Sequence, residues 1–473
     1  MLRADRRWLL ALTAIAIVTR LVWVLWIHPP LDYVFSDMRK YLERATELAE
    51  LGMTVGDREF AWQAWGTHVL LAIPLRFFGA AALDVAAAMW GLMAAAAVPL
   101  AYLLAARVCT RRHVPEIVGV AVLLWHPNVS NAGYFLSETP FLCFALGSTL
   151  ALVHTLQTGR GPILAGCLSA IAFAVRPQVA LFDLLVAVTW LVNRRRLPHV
   201  RVRTLVGVAA PLLAMLAFSA WRFAHHTGYW AGVAENANMN LTAGRCHNIV
   251  TQAYANEAQL ARAVATDNTH DGRRVSLPNL RLAAKLPDWH PLAVRPVLGG
   301  ESIRFVGYIG DPQIHREIRR RCYAATTWWQ QARMSFTNVM LSWFVDRQWP
   351  EMEKNRRYFL PVLDVYSVFF QIVVWTPSMV GMGAALWWVR RRPALALVAW
   401  QIVNSIVVAA MFFGTIRLRT PYDPYALVLA IEGAVVMAAW LPPRSRARLM
   451  AWIDARMPEA SAVPRMPARS DGG

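Results

Sequence analysis

His28 to Gly52 reads HPPLDYVFSDMRKYLERATELAELG, and it follows directly on an apolar run, Trp8 to Ile27. The run is about as long as a bilayer is thick. Behind it, Met38, Tyr41, Leu42, Ala45, Leu48 and Ala49 share one face of a helix, and Lys40, Glu43, Arg44, Glu47 and Glu50 do not. The stretch therefore predicts a span, a turn and an amphipathic helix on the membrane surface. Two carboxylates, Asp32 and Asp37, sit at the lip of that span.

Working outward, the same kind of apolar block recurs along the chain. The 473 residues are 57% hydrophobic and 16% charged, against roughly a quarter charged in a soluble domain. Mean hydropathy is +0.35. The predicted fold class is all-α: a polytopic helical membrane protein, not a β-barrel, which would show short alternating segments. Ten spans are expected, near 8–27, 83–108, 114–131, 134–157, 163–175, 178–192, 204–223, 362–389, 394–413 and 425–441. No internal repeat is visible. Residues 60–78 are broken by His68, Pro74 and Arg76 and read as interfacial helices.

The net charge of +19 on a soluble chain would suggest nucleic acid. Here the arginines cluster between spans, which fits topology and lipid headgroups instead. Each loop that alternation places inside carries arginine, with NRRRLPHVRVR (193–203) the strongest case. Both termini are then cytoplasmic, the first span is its own insertion signal, and the protein is expected in the inner (plasma) membrane.

The expected organisation is an N-terminal membrane region, 1–223, with a first-loop segment at 28–78. An outer loop domain, mostly helical, covers 224–360, and the last spans cover 361–441. A basic tail, 442–473, ends in a Pro/Ala/Ser-rich stretch without expected order. Asp311-Pro312 predicts the start of one helix running to Phe336. Cys246 and Cys322 both fall in the outer loop, where an oxidising compartment could join them.

This topology gathers ionisable residues near one face: Asp32, Asp37, His68, Arg76, Glu138, Arg176, Arg417, Arg419, Tyr422 and Asp423. Asp37 is a candidate general base and equally a helix N-cap, a role Ser36 would also suit. Asp32 lies in a Pro-rich turn and reads as a turn residue. Glu138 sits in apolar YFLSETPFLCFALG and needs a partner, either a substrate, a metal or an arginine such as Arg176. Arg176, Arg417 and Arg419 are candidate phosphate ligands, since a guanidinium forks onto phosphate; snorkelling to lipid is the alternative. His225, His226 and Cys246-His247 match no zinc spacing. No P-loop, GxSxG or GxGxxG appears in a fitting context.

Four stretches resemble the GT-C membrane glycosyltransferases, in the branch of bacterial protein O-mannosyltransferases and the lipid A aminoarabinose transferase. They are SDMRKYLERATELAELG (36–52), LSETPFLCF (136–144), AGCLSAIAFAVRPQVALF (165–182) and FFGTIRLRTPYDPYALVLAIEG (412–433). The resemblance implies an inverting transfer of a sugar from a polyprenyl-phosphate donor, at the outer membrane face. The acceptor would be a lipid, a glycan or a protein. Asp37 would be the base, with Glu138, Arg176, Arg417, Arg419, Tyr422 and His68 binding substrate. The first loop has Ser36-Asp37 where several members carry DE or DxD, and Ser137-Glu138 stands where paired acids are common. A divalent metal therefore stays open as cofactor. A ligase or polymerase of lipid-linked polysaccharide is the alternative enzyme. A transporter or flippase of a lipid-linked sugar would instead concentrate its charges near mid-membrane.

Overall fold

The computed structural model describes residues 5–34, 37–52, 58–230, 232–247, 249–266, 273–276, 290, 292–295, 297–300, 302–345 and 365–457. Helix α1 (Arg6–Val22) is capped by Asp5, whose Oδ1 accepts from the Arg7 amide at 2.8 Å. It continues as a π-turn over Trp23–Ile27 and stops at His28, before two prolines that cannot carry the hydrogen-bond ladder on. Asp32 lies exposed in the short turn Pro30–Tyr33.

Helix α2 (Asp37–Leu51) buries Met38, Tyr41, Ala45 and Ala49, the face expected from its periodicity. It packs on α3 (Gly66–Phe77) and joins an apolar cluster that includes Ala86 and Trp90 of α4 (Ala82–Val108). Arg76 donates to the Ala49 carbonyl at 2.9 Å, so a cation closes the C-terminal turn of α2.

The chain then builds a helical bundle from α5 (Val114–Leu124), α6 (His126–Asn131), α7 (Glu138–Thr158), α8 (Pro162–Val175), α9 (Val179–Asn193) and α10 (Val202–Thr227). Among the described residues, six helices are long and apolar enough to cross a membrane: Arg6–Ile27, Gly79–Val108, Glu138–Thr158, Val202–Thr227, Val365–Trp387 and Pro393–Met411. The other four expected spans are helical but short. Helices α5, α8 and α9 have 11, 14 and 15 residues, where a bilayer asks for about 20. The tenth, Asp423–Ala438, has 16. The third expected span breaks at Trp125, because Pro127 forces a new helix start.

An arginine inside the first span has a structural role. Arg20 is almost fully buried and donates to the carbonyls of Leu123, at 2.6 Å, and Val122, at 3.3 Å. These are the last carbonyls of α5, where the helix dipole favours a cation.

The long loop after α10, expected on the outer side, forms a small domain with its own core of Ala243, Cys246, Ile249, Val294, Ile318, Cys322 and Met334. It contains α11 (Asn236–Arg245), β1 (Val250–Tyr254), α12 (Glu257–Thr266), β2 (Arg273–Ser276), β3 (Ser302–Val306), α13 (Pro312–Ala324) and α14 (Trp328–Met340). The expectation of a mostly helical loop thus needs one correction: β1 is the central strand of a three-stranded sheet, antiparallel to β2 and parallel to β3. The helix expected from Pro312 to Phe336 starts as predicted, with Asp311 accepting from Gln313 at 2.8 Å. It is nevertheless two helices. Thr327 and Gln330 form a capping box that starts α14 afresh. Cys246 and Cys322 are joined by a disulfide that ties α11 to α13.

The last helices are α15 (Thr376–Trp387), α16 (Pro393–Met411), α17 (Ile416–Arg419), α18 (Asp423–Ala438) and α19 (Pro443–Arg456). The basic ends of the helices meet one another. Arg392 pairs with Glu432 at 2.7 Å and Arg111 with Asp454 at 2.7 Å, and Arg196 donates to the Arg390 carbonyl at 2.7 Å. The tail therefore begins with a helix tied to the bundle; its Pro/Ala/Ser-rich end lies outside the described residues.

Candidate functional site

Four of the residues singled out in the sequence meet at the opposite helix ends. Glu138 is the first residue of α7 and is 1% exposed. Its Oε1 accepts from Arg176 Nη2 at 2.6 Å and from Arg417 Nε at 2.5 Å. Arg417 then reaches Asp37 Oδ2 with Nη1 at 2.9 Å. The result is an alternating chain, Asp37–Arg417–Glu138–Arg176, in which every charge has an opposite neighbour.

Local sequence places each member. Helix α2 begins at Asp37, so its carboxylate starts the helix from within and is held by Arg417. A carboxylate at a helix N-terminus is favoured by the helix dipole, and Glu138 has the same advantage at α7. Arg176 caps α8 in an extended conformation (φ −146°, ψ 106°) imposed by Pro177 behind it. Gly66 brings the first loop to the same end of α8. A Cβ there would lie 2.6 Å from the Ala174 carbonyl carbon and the Val175 nitrogen, so only glycine fits. Gly414 likewise sits against the Asn338 backbone, where a Cβ would be 1.6 Å from its oxygen. That contact seats the 414–423 turn on α14.

The site has one open side. The Asp37 side chain is 42% exposed, and that of Arg417 19%. Deeper in, Arg176 Nη1 and Glu138 Oε2 are buried without a hydrogen-bond partner. Burial works against the Arg417 charge, but the carboxylates of Glu138 and Asp37 outweigh it and hold the guanidinium more firmly protonated than usual.

Two further residues belong to this arrangement. Tyr41, one turn after Asp37, is buried between Asp37 and Ser137; burial first, and then the Asp37 charge, push its phenol up to about 12. Ser137 accepts from Arg176 Nε at 3.0 Å. The i,i+4 spacing from Asp37 to Tyr41 was the available signal for the first.

The other expected site residues are placed elsewhere. Arg419 is not beside Arg417. Two positions apart on a helix means nearly opposite directions. Arg419 turns inward, pairs with Asp423 at 3.0 Å and lies over the Phe370 ring at 3.9 Å. Trp125 Nε1 donates to the same Asp423 at 2.8 Å. Tyr422 supports the site from behind: its hydroxyl accepts from Gln178, at 2.7 Å, and Asn404, at 3.2 Å, and so fixes the turn that carries Arg176. His68 is buried in a separate cavity with Arg222 and His226.

Among the described residues, no group of three or more His, Cys, Asp and Glu is placed to hold a metal ion. The first loop is itself docked on the start of the domain that follows α10. Glu235, fully buried, accepts from Arg58 Nε at 2.7 Å and from the Tyr229 hydroxyl at 2.8 Å. Its amide and that of Asn236 donate to the carbonyls of Ala61 and Trp62. Near the start of α2, the Lys40 ammonium lies 5.1 Å from the Trp62 ring centre. No protein-family model matches the chain, and no curated protein is significantly similar to it.

Proposed function

We propose that the protein is an integral membrane glycosyltransferase of the GT-C kind, moving a sugar from a polyprenyl-phosphate donor to a hydroxyl-bearing acceptor. The observation that carries this reading is Arg417, which bridges a half-exposed carboxylate, Asp37, and a buried one, Glu138. That arrangement supplies a base open to an acceptor and a cation within reach of the same space.

In the proposed step Asp37 takes the proton of the acceptor hydroxyl while that oxygen attacks the anomeric carbon of the donor. The bond from the anomeric carbon to the phosphate oxygen breaks, and the polyprenyl phosphate leaves with the electron pair. Arg417 swings part of its charge from Asp37, which protonation has neutralised, to the departing phosphate. Arg176, with one nitrogen unpaired, is the second donor for that oxyanion. Displacement from the far face inverts the anomeric centre.

The same reading adopts ten spans, both termini cytoplasmic, the Asp37 site on the extracytoplasmic side, and a place in the cell envelope. Helices of 11 to 16 residues supplement the six of spanning length by lining a protein-filled interior. The test is transfer of labelled sugar from polyprenyl-phosphate donors in vesicles holding the purified protein. Transfer should require Asp37 and Arg417. Wild-type rates in both Asp37→Asn and Arg417→Ala, with the protein folded, would overturn the reading.

A further inference from the structure

The end of α10 that faces the first loop holds a buried arginine with no carboxylate partner among the described residues. Arg222 is 5% exposed. Its Nη2 donates to the Phe60 carbonyl, and its Nη1 is buried with no acceptor. Among the described residues it forms no ion pair. Burying a guanidinium without a counter-charge is costly, so such a group usually has an anion to meet.

Arg222 lines a small, partly open pocket beside α2 and α3. One wall is apolar, built from Leu48, Phe60, Trp65 and Val69. The polar corner is Arg222, His68 and His226. His68 is 2% exposed and its Nδ1 has no hydrogen-bond partner. Among the described residues, no carboxylate lines this space. Burial, and then the charges of Arg222, Arg44 and His226, pull the His68 pKa down to about 3. His68 is therefore neutral at physiological pH, with one ring N–H to donate. Among the described lining residues, the Arg222 guanidinium and the neutral His68 ring can both donate to an oxyanion.

The place suits a phosphate with an apolar attachment. Arg222 lies in the last turns of a span-length helix. Trp221 beside it and Leu51 at the end of α2 are 51% and 61% exposed. Exposed tryptophan at a span end is the pattern of headgroup depth.

We propose that this cavity is a phosphate-binding site, separate from the Asp37 cluster, in which Arg222 is the counter-ion and His68 a neutral donor. The proposal does not rest on sugar transfer. The phosphate belongs either to a lipid headgroup or to free inorganic phosphate, and the experiment separates these sources.

The full-length protein, delipidated in detergent, is titrated with phosphatidylglycerol, with inorganic phosphate and with phosphate-free diacylglycerol. Thermal melting and native mass spectrometry report binding. Wild type should rise by several degrees and retain one phosphatidylglycerol, with no response to diacylglycerol. Response to the lipid alone assigns a headgroup; equal response to inorganic phosphate assigns the free anion. Arg222→Gln should weaken binding at least tenfold. Leu48→Phe, which fills the cavity and keeps the arginine, should do the same and carries the test if Arg222→Gln does not fold. No response to either phosphate source, or undiminished binding in the folded variants, overturns the site.

Discussion

Arg417 gives Glu138 the nitrogen nearest its own chain, at 2.5 Å, and keeps the far end of its fork for Asp37, at 2.9 Å. Glu138 is thereby the anchor and Asp37 the exchangeable partner. The buried carboxylate, also held by Arg176 at 2.6 Å, fixes the arginine's position. The exposed one can release it, in the proposed reaction to a substrate anion, without leaving a charge stranded in the core.

Asp37→Asn tests the proposed base directly. It keeps the shape and an oxygen for Arg417 but removes the proton acceptor. A general base contributes about 10²–10⁴ in rate, so turnover should fall by at least 100-fold. Donor KM and melting temperature should change little, because the residue is half exposed. A rate within threefold of wild type refutes the assignment.

Arg417 and Arg419 should separate cleanly despite being neighbours in RLR. Arg417→Lys keeps charge and loses the fork, and is expected to lower turnover with the protein still folded. Arg419→Leu breaks a fully buried pair with Asp423, at a cost of about 3–5 kcal/mol. Its signature is a lower melting temperature and poor yield, with normal turnover per folded molecule. If Arg419→Leu is stable and inactive, the two roles are exchanged.

The Cys246–Cys322 bridge closes a loop of sequence separation 76. A loop of that size predicts stabilisation on the order of 4 kcal/mol. Cys322→Ser should make the segment between α11 and α13 sensitive to limited proteolysis. Non-reducing peptide mapping of protein from an oxidising compartment should find the linked pair; two free thiols would contradict the structure.

His68 gives a pH signature. Its folded pKa, about 3, lies below the ordinary 6.5, so the unfolded chain binds the proton more readily. Its contribution to stability is complete above pH 6.5 and is lost as pH falls toward 3. At pH 5 the loss is about 2 kcal/mol. The melting difference between wild type and His68→Leu, measured from pH 7.5 to 5, should shift against wild type by that amount. A difference independent of pH would show that His68 is not buried as described.

Much of the site was legible because its members are confined by the sequence itself. Asp37, Glu138, Arg176 and Arg417 each stand at a helix end marked by a proline, an apolar block or both. Alternation of the expected spans then predicts those ends on one side. What alternation cannot supply is direction around a helix axis, so it treated Arg417 and Arg419 alike. The same gap hid Arg222, which lies within an apolar run and shows its lack of a counter-charge only when its neighbours are known.

Local pattern was likewise enough for the amphipathic face of α2 and for the Asp311-Pro312 helix start, since both depend on residues within a turn or two. The three-stranded sheet was not legible: β1 and β3 pair across about fifty residues, and strand pairing is a non-local choice. By itself, then, the sequence determined a helical, apolar chain with its charges at the helix ends, because periodicity and hydropathy act locally. Only the tertiary structure decided which of those charges meet, because Arg417 joins Asp37 and Glu138 from elements far apart in the chain, and burial makes the pairing of Glu138 with Arg176 and Arg417 obligatory.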